Sequence, residues 1–154
     1  MRISPDVIKR VRLNTILGKQ VYFPIIFSRY HPDFVLNKNT SLWNISNDAG
    51  HWRLFGYGIV SLFNKDLIDA GGLNLAIRGW GKEDVDLFER LLKVVQVFRT
   101  PDPGLIHMYH ESNQCEKSLT PEQKRMCEGT KLSTFGSKAS LAKFLDKSSF
   151  RTIF

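Results

Sequence analysis

Between residues 59 and 110 the chain alternates strand-like and helix-like stretches, and this alternation restricts its architecture more than any other feature. "GIVSLF" reads as a strand and "KDLIDA" as a short helix stopped by Gly71 and Gly72. The run from Glu83 to Lys93 reads as a longer helix with Leu87, Phe88, Leu91 and Leu92 on one face. "VVQVFRT" is a strand, "PDPG" a turn, and "LIHMYH" a second extended run. Strands interleaved with helices favour an α/β architecture, a mixed sheet with flanking helices, over an all-α one.

The flanking regions fit this scheme. "PDVIKRVRL" has proline at a helix start and apolar residues at Val7, Ile8 and Val11, which suits a short amphipathic helix ended by Gly18. "QVYFPIIFSRY" is rich in β-branched and aromatic residues and reads as an extended core segment, with Pro24 at an edge or a bend. From His31 to Gly50 the composition turns to Asn, Asp, Ser and Pro, a long loop. Thr120 is a helix N-cap with Gln123 in the capping-box position. With 154 residues and 42% hydrophobic content, one domain is the default. A doubly wound domain normally opens with a strand and a glycine-rich nucleotide turn, and no such turn is present. The chain therefore reads as the second half of a larger unit.

The charge of +7 predicts attraction to polyanions without naming one. The basic residues gather loosely at the two ends, with no zinc-finger spacing and no RNA-binding aromatic signature, so nucleic acid is not the expected partner. No stretch approaches the ~20 apolar residues of a membrane span. Cys115 and Cys127 are the only cysteines and lack Cys-x-x-Cys spacing; a disulfide and two idle thiols both fit. Asn39 and Asn44 each begin a glycosylation sequon in one polar stretch, which suits a lumenal surface loop, although a chance match explains so short a motif equally well.

The chemistry concentrates in "RGWGKEDVDLFERLL". Glu83, Asp84 and Asp86 suit the first turn of a helix, where free N–H groups favour negative charge by ~0.3 to 1 kcal/mol each. Asp84 and Asp86 also form an Asp-x-Asp of the kind that holds magnesium or manganese, but side chains at i and i+2 of a helix diverge by ~200°. A third reading makes Glu83 and Asp84 acceptor-side groups, one orienting a sugar hydroxyl and the other taking its proton, with Trp80 stacked on the ring. Trp80 between Gly79 and Gly81 is an expensive residue for a flexible loop, which only this third reading uses.

"GWGKEDVDLF" resembles the Gly-Trp-Gly-x-Glu-Asp signature of the β1,4-galactosyltransferase and chondroitin N-acetylgalactosaminyltransferase superfamily. The resemblance is strongest to the C-terminal domain of chondroitin sulfate synthases and the chondroitin polymerising factor. It continues through "GKQVYFPIIFSRYHP", "HWRLFGYG", "FRTPDPGLIHMYHE" and "LTPEQKRMC", so the family-like region runs from about Leu13 to Lys138 of a single partial domain, residues 1–154. It implies the C-terminal, acceptor-side part of a GT-A glycosyltransferase fold with the nucleotide-binding N-terminal half missing. The implied activity is inverting, metal-dependent transfer of GalNAc from UDP-GalNAc to glucuronate-terminated chondroitin, with Mn2+ as cofactor.

Carried over by motif, Asp84 is the general base on the acceptor hydroxyl and Glu83 its acceptor-binding neighbour, while Trp80 sits on a small mobile loop. His110 is the expected metal ligand. His107 is left open, because on a strand the i, i+3 spacing puts the two imidazoles on opposite faces. Phe55, Gly56 and Gly58 align with the donor-sugar wall, for which a tight turn beside an aromatic core is the alternative. The resemblance also implies a Cys115–Cys127 disulfide, location on the lumenal side of the Golgi cisterna membrane, an anchor in the full-length protein, and a hetero-oligomer with another chondroitin synthase. Two departures stand out: Lys82 replaces the second glycine of "GWGG", and the upstream Asp-x-Asp has no counterpart. The chain by itself is accordingly expected to bind nucleotide poorly and to be inactive. A non-catalytic chondroitin-polymerising partner or polyanion-binding module is the alternative.

Overall fold

The computed structural model describes residues 1–35, 41, 43–111, 115 and 119–136. In chain order the elements are β1 (Arg2–Ile3), α1 (Asp6–Asn14), β2 (Gln20–Arg29), a 3-10 turn (Pro32–Phe34), β3 (Gly50–Trp52), α2 (Asn64–Asp69), α3 (Glu83–Leu91), β4 (Gln96–His107) and α4 (Pro121–Ser133). The sheet order is β1-β4-β2-β3; β2 and β4 run parallel and the outer strands antiparallel, so the sheet is mixed.

Period-two alternation on β2 decides which helix covers which face. Val21 and Phe23 point toward Ala70, Leu87 and Leu91 of the α2–α3 side, all nearly inaccessible. Tyr22 and Ile26 point the other way, where Ile26 packs with Val7 of α1 and with Leu105. The result is a three-layer arrangement with α1 on one face and α2 and α3 on the other.

Two expectations change here. "GIVSLF" is not a strand: its backbone pairs with β2 only at Tyr22 and Ser61, which exchange bonds of 2.9 and 2.8 Å. The next pair along that edge would need an N–H from Pro24, which has none, and in the other direction Gln20 is already bonded to Ile16. Pro24 therefore sits on an open edge of β2, where its missing donor costs nothing, although β2 itself is an inner strand.

"PDPG" is likewise not a free turn but a bulge inside β4. Ile25 pairs with Pro101 and Phe27 with Ile106, so two steps on β2 correspond to five on β4. The extra residues turn Asp102 into the interior. Its carboxylate accepts from Arg10 Nε (2.9 Å) and Nη2 (2.5 Å), Tyr22 Oη (3.0 Å) and the Gly104 N–H (2.9 Å). Burial pushes the Asp102 carboxyl up, but these bonds and the Arg10 charge outweigh it and hold it below the usual range. A Cβ on Gly104 would lie 2.3 Å from Arg10 Nη2 and 2.7 Å from Val7 Cγ2, so only glycine lets α1 approach this closely.

Candidate active site

The parallel strands β2 and β4 end side by side, and a cleft of about 460 Å3 opens beyond their C-terminal ends, the usual place for a ligand in an α/β sheet. Register places Ser28 and His107 in its lining. Ser28 is paired with His107 on β4 and with His51 on β3, so these three side chains stand in a row on one face. Ser28 Oγ lies 3.3 Å from His107 Nδ1. α4 forms one wall with Thr130, Lys131 and Thr134, and Trp80 enters from the α2–α3 connection.

β4 ends at His107, so the next residues leave the strand and its alternation no longer applies. The expectation of opposite faces is thereby corrected: the His107 and His110 rings lie 5.3 Å apart and both line the cleft. His110 Nδ1 is 3.1 Å from the Glu111 carbonyl; a carbonyl can only accept, so Nδ1 carries a proton, and in the neutral imidazole the lone pair is on Nε2. Burial pushes His107 down to about 4, with the charges of Arg53 and His110 adding to the effect. His107 is therefore a neutral imidazole at physiological pH.

The Trp80 loop is shaped by three demands for left-handed backbone, one before Trp80 and two after it. Gly79 (φ 84°) and Gly81 (φ 82°) meet two of them without strain, whereas Lys82 (φ 79°) is the one non-glycine with positive φ among the described residues. Lys82 is tied by an ion pair to Glu122 on α4. Gln123, nearly inaccessible, completes the Thr120 capping box and at the same time donates from Nε2 to the Arg78 carbonyl at 2.8 Å and the Gly81 carbonyl at 3.5 Å. The first turn of α4 thus holds both ends of the loop that carries Trp80. The capping role of Gln123 is legible in its spacing from Thr120; its grip on a loop over forty residues away in sequence is not.

The acids at the start of α3 separate into different roles. Asp86 accepts from Arg90 Nε (2.9 Å) and Nη2 (2.7 Å) and from Asn74 (3.4 Å), and Arg90 also donates to the Ala70 and Gly72 carbonyls, both at 2.6 Å. It joins α3 to the end of α2 and is no metal ligand. Glu83 is exposed. Asp84 is half-buried; its Oδ1 accepts from the Val85 N–H at 2.9 Å. Its Oδ2 has no hydrogen bond among the described residues, and a Cβ on Gly58 would lie 3.9 Å from it. One carboxylate oxygen beside a glycine is thus left with open lone pairs. Glu83, Asp84 and Gly58 are not among the residues lining the cleft, whereas Trp80 and His110 are.

Phe55 is 87% exposed on a turn, and its neighbours are pinned by Arg99, which donates to the Leu54 carbonyl at 2.8 Å and lies over the Tyr57 ring at 4.5 Å. Cys115 and Cys127 are joined by a disulfide that ties the segment after His110 to α4. Asn44 is half-buried and its carbonyl accepts from Arg29 at 3.3 Å; Asn39 lies outside the described residues.

The pattern of site and scaffold has clear relatives. The family model described as chondroitin N-acetylgalactosaminyltransferase matches residues 1–141. The chain belongs to this family. It is 43% identical over 141 residues to chondroitin sulfate synthase 3 of Homo sapiens, covering 89% of this chain and 16% of that protein. It is 38% identical over 135 residues to chondroitin sulfate N-acetylgalactosaminyltransferase 1 of Homo sapiens, covering 83% and 25%. Identity to chondroitin sulfate N-acetylgalactosaminyltransferase 2 of Homo sapiens is 35%, covering 97% and 29%. The chain thus spans well under a third of the length of these relatives. No solved structure matches it. Two of these relatives are named as N-acetylgalactosaminyltransferases, and this chain carries its Gly-Trp-Gly-x-Glu-Asp motif at the start of α3.

Proposed function

We propose that this chain is the acceptor-side part of a chondroitin-type hexosyltransferase that moves GalNAc from UDP-GalNAc to the 4-hydroxyl of a terminal glucuronate. The observation that carries the reading is the open Oδ2 of Asp84, half-buried beside Gly58 and just past the loop held by Gln123. Such a carboxylate has the lone pair and partial shelter a general base requires. Asp84 takes the acceptor hydroxyl proton as that oxygen attacks the anomeric carbon. The bond from that carbon to the diphosphate breaks with inversion, and UDP leaves with the bonding electrons. Glu83 orients the acceptor, and Trp80 offers its face to the sugar ring. The donor wall at Phe55 and Gly58 belongs to the same reading.

A manganese ion fits in part. His107 is a neutral imidazole, and the neutral form of His110 would present its Nε2 lone pair, which are the forms a metal takes. Among the described residues no group of three or more ligand side chains converges, so these two would hold only part of a shell. When bound, the ion would neutralise charge developing on the diphosphate. Location on the lumenal side of the Golgi membrane, an anchor outside this chain and pairing with another chondroitin synthase complete the proposal; among the described residues no helix is long and apolar enough to cross a membrane.

The test is GalNAc transfer by the full gene product with UDP-GalNAc, manganese and a glucuronate-terminated oligosaccharide. Asp84→Asn should lower the rate by about 10²- to 10⁴-fold with little change in melting temperature. Undiminished transfer by the variant sinks the assignment. A non-catalytic, polyanion-binding module is the second reading, favoured by the basic cleft residues Arg29, Arg53 and Lys131. Salt-sensitive chondroitin binding without any transfer, unaffected when Glu83 and Asp84 are neutralised, would select it.

A further inference from the structure

The cleft contains a guanidinium that forms no ion pair among the described residues. The ion pairs among the described residues join Lys9 to Asp6, Arg10 to Asp102, His31 to Asp33, Lys65 to Asp69, Lys82 to Glu122 and Arg90 to Asp86. Arg53, half-buried and lining the cleft, is in none of them and makes no side-chain hydrogen bond among the described residues. It is also firmly placed. It directly follows β3, its N–H donates to the Ile26 carbonyl at 2.9 Å, and its stem packs on Gly56, where a Cβ would lie 3.2 Å from Arg53 Cβ. Arg29, 8% exposed, lines the same cleft, and among the described residues its side chain reaches only the Ser41 and Asn44 carbonyls, at 3.4 and 3.3 Å.

Sheltering a cation costs free energy unless an anion accompanies it. Of the acids inside the fold, Asp102 is paired with Arg10 and Asp86 with Arg90, and neither Asp66 nor Asp84 lines the cleft. The acid that lines the cleft, Glu111, is exposed at its rim. The anion that belongs here therefore comes from outside the described fold. A guanidinium presents a planar fork matched to two oxygens on one centre, a geometry that carboxylates and phosphates share. Trp80, on the same cleft, supplies the apolar face that a sugar ring bearing such a group would use.

We propose that Arg53, supported by Arg29, is the anchor for an oxyanion carried on a sugar substrate and so a specificity-determining residue of the cleft. The proposal rests on the transferase reading for the identity of the sugar, but not for the existence of the anion site. Two sources of the oxyanion are chemically equivalent at Arg53: the carboxylate of a uronate acceptor and a phosphate of a sugar-nucleotide donor.

The experiment measures binding, not transfer, in the full gene product. Titrations would use a glucuronate-terminated chondroitin oligosaccharide, its carboxyl-reduced neutral form, and UDP. They would be run on the native protein and on Arg53→Gln, Arg53→Lys and Arg12→Gln, the last replacing an exposed arginine on α1 as a control for the general field. Arg53→Gln should weaken one charged ligand about ten- to a hundredfold and leave the reduced oligosaccharide unchanged. Arg53→Lys, which keeps the charge without the fork, should recover only part, and Arg12→Gln should bind like the native protein. Loss confined to the oligosaccharide assigns the uronate, and loss confined to UDP assigns the donor. If Arg53→Gln does not fold, Arg53→Lys carries the test, with an intermediate loss expected. Unchanged affinity for both charged ligands, no binding of either by the native protein, or an equal loss with Arg12→Gln overturns the proposal. Arg53-dependent binding without transfer would refute the transferase reading and keep this one; Asp84-dependent transfer with Arg53-independent binding would do the reverse.

Discussion

Replacing Asp102 by asparagine should cost about 3 kcal/mol of folding stability at pH 7. The estimate follows from its surroundings. The carboxylate is fully buried and accepts four hydrogen bonds, two of them from Arg10. Removing one partner of a buried ion pair typically costs ~3–5 kcal/mol, because the remaining charge is left uncompensated. The Arg10 side chain is 31% exposed, so water recovers part of its solvation and the lower end of that range applies. Asparagine also turns a donor toward Arg10 or Tyr22, which already donate. The pH dependence has a definite sign. The folded-state pKa of Asp102 is depressed, so the carboxylate's contribution is complete above its unfolded value of ~3.9 and is lost as pH falls through the lower folded value. Urea unfolding, followed by tryptophan fluorescence at pH 7 and again near pH 2.5, would read the gap between native and variant. The gap should be about 3 kcal/mol at neutral pH and shrink in acid. A gap below about 1 kcal/mol, or one indifferent to acid, would refute the view that Asp102 locks α1 onto the β4 bulge.

Two further perturbations separate scaffold from site. Gln123→Ala should cost about 1 kcal/mol through the lost capping box, and hydrogen exchange should show faster exchange around Gly79–Lys82 than elsewhere, because the same side chain holds the Arg78 carbonyl. Asp86→Asn should lower the melting temperature slightly with no change in manganese dependence, since its partners are Arg90 and Asn74; a selective loss of metal affinity would restore the Asp-x-Asp reading.

Much of the scaffold can be read locally. The α1, α3 and α4 patterns are amphipathic or capped, and their helices form within a few residues of the expected limits. What fails is strand assignment wherever a strand depends on its partner. "GIVSLF" has the right side chains, yet the edge it would join is interrupted at Pro24 and occupied at Gln20. "PDPG" has strong turn chemistry, but the ladder resumes at Leu105 and Ile106 and absorbs it as a bulge. The histidines fail for a related reason: alternation assumes that β4 continues past His107, and it does not.

The sequence alone determined the helices, the mixed α/β layering and the motif at the start of α3, because periodicity, capping and glycine placement act over a few residues. Tertiary structure alone decided that Arg90 takes Asp86 while Asp84 Oδ2 stays open, that His107 joins His110, that Gln123 holds the tryptophan loop, and that Arg53 has no partner among the described residues. Each depends on contacts between segments far apart in the chain, and no local spacing rule encodes which charges find one another once the sheet has closed.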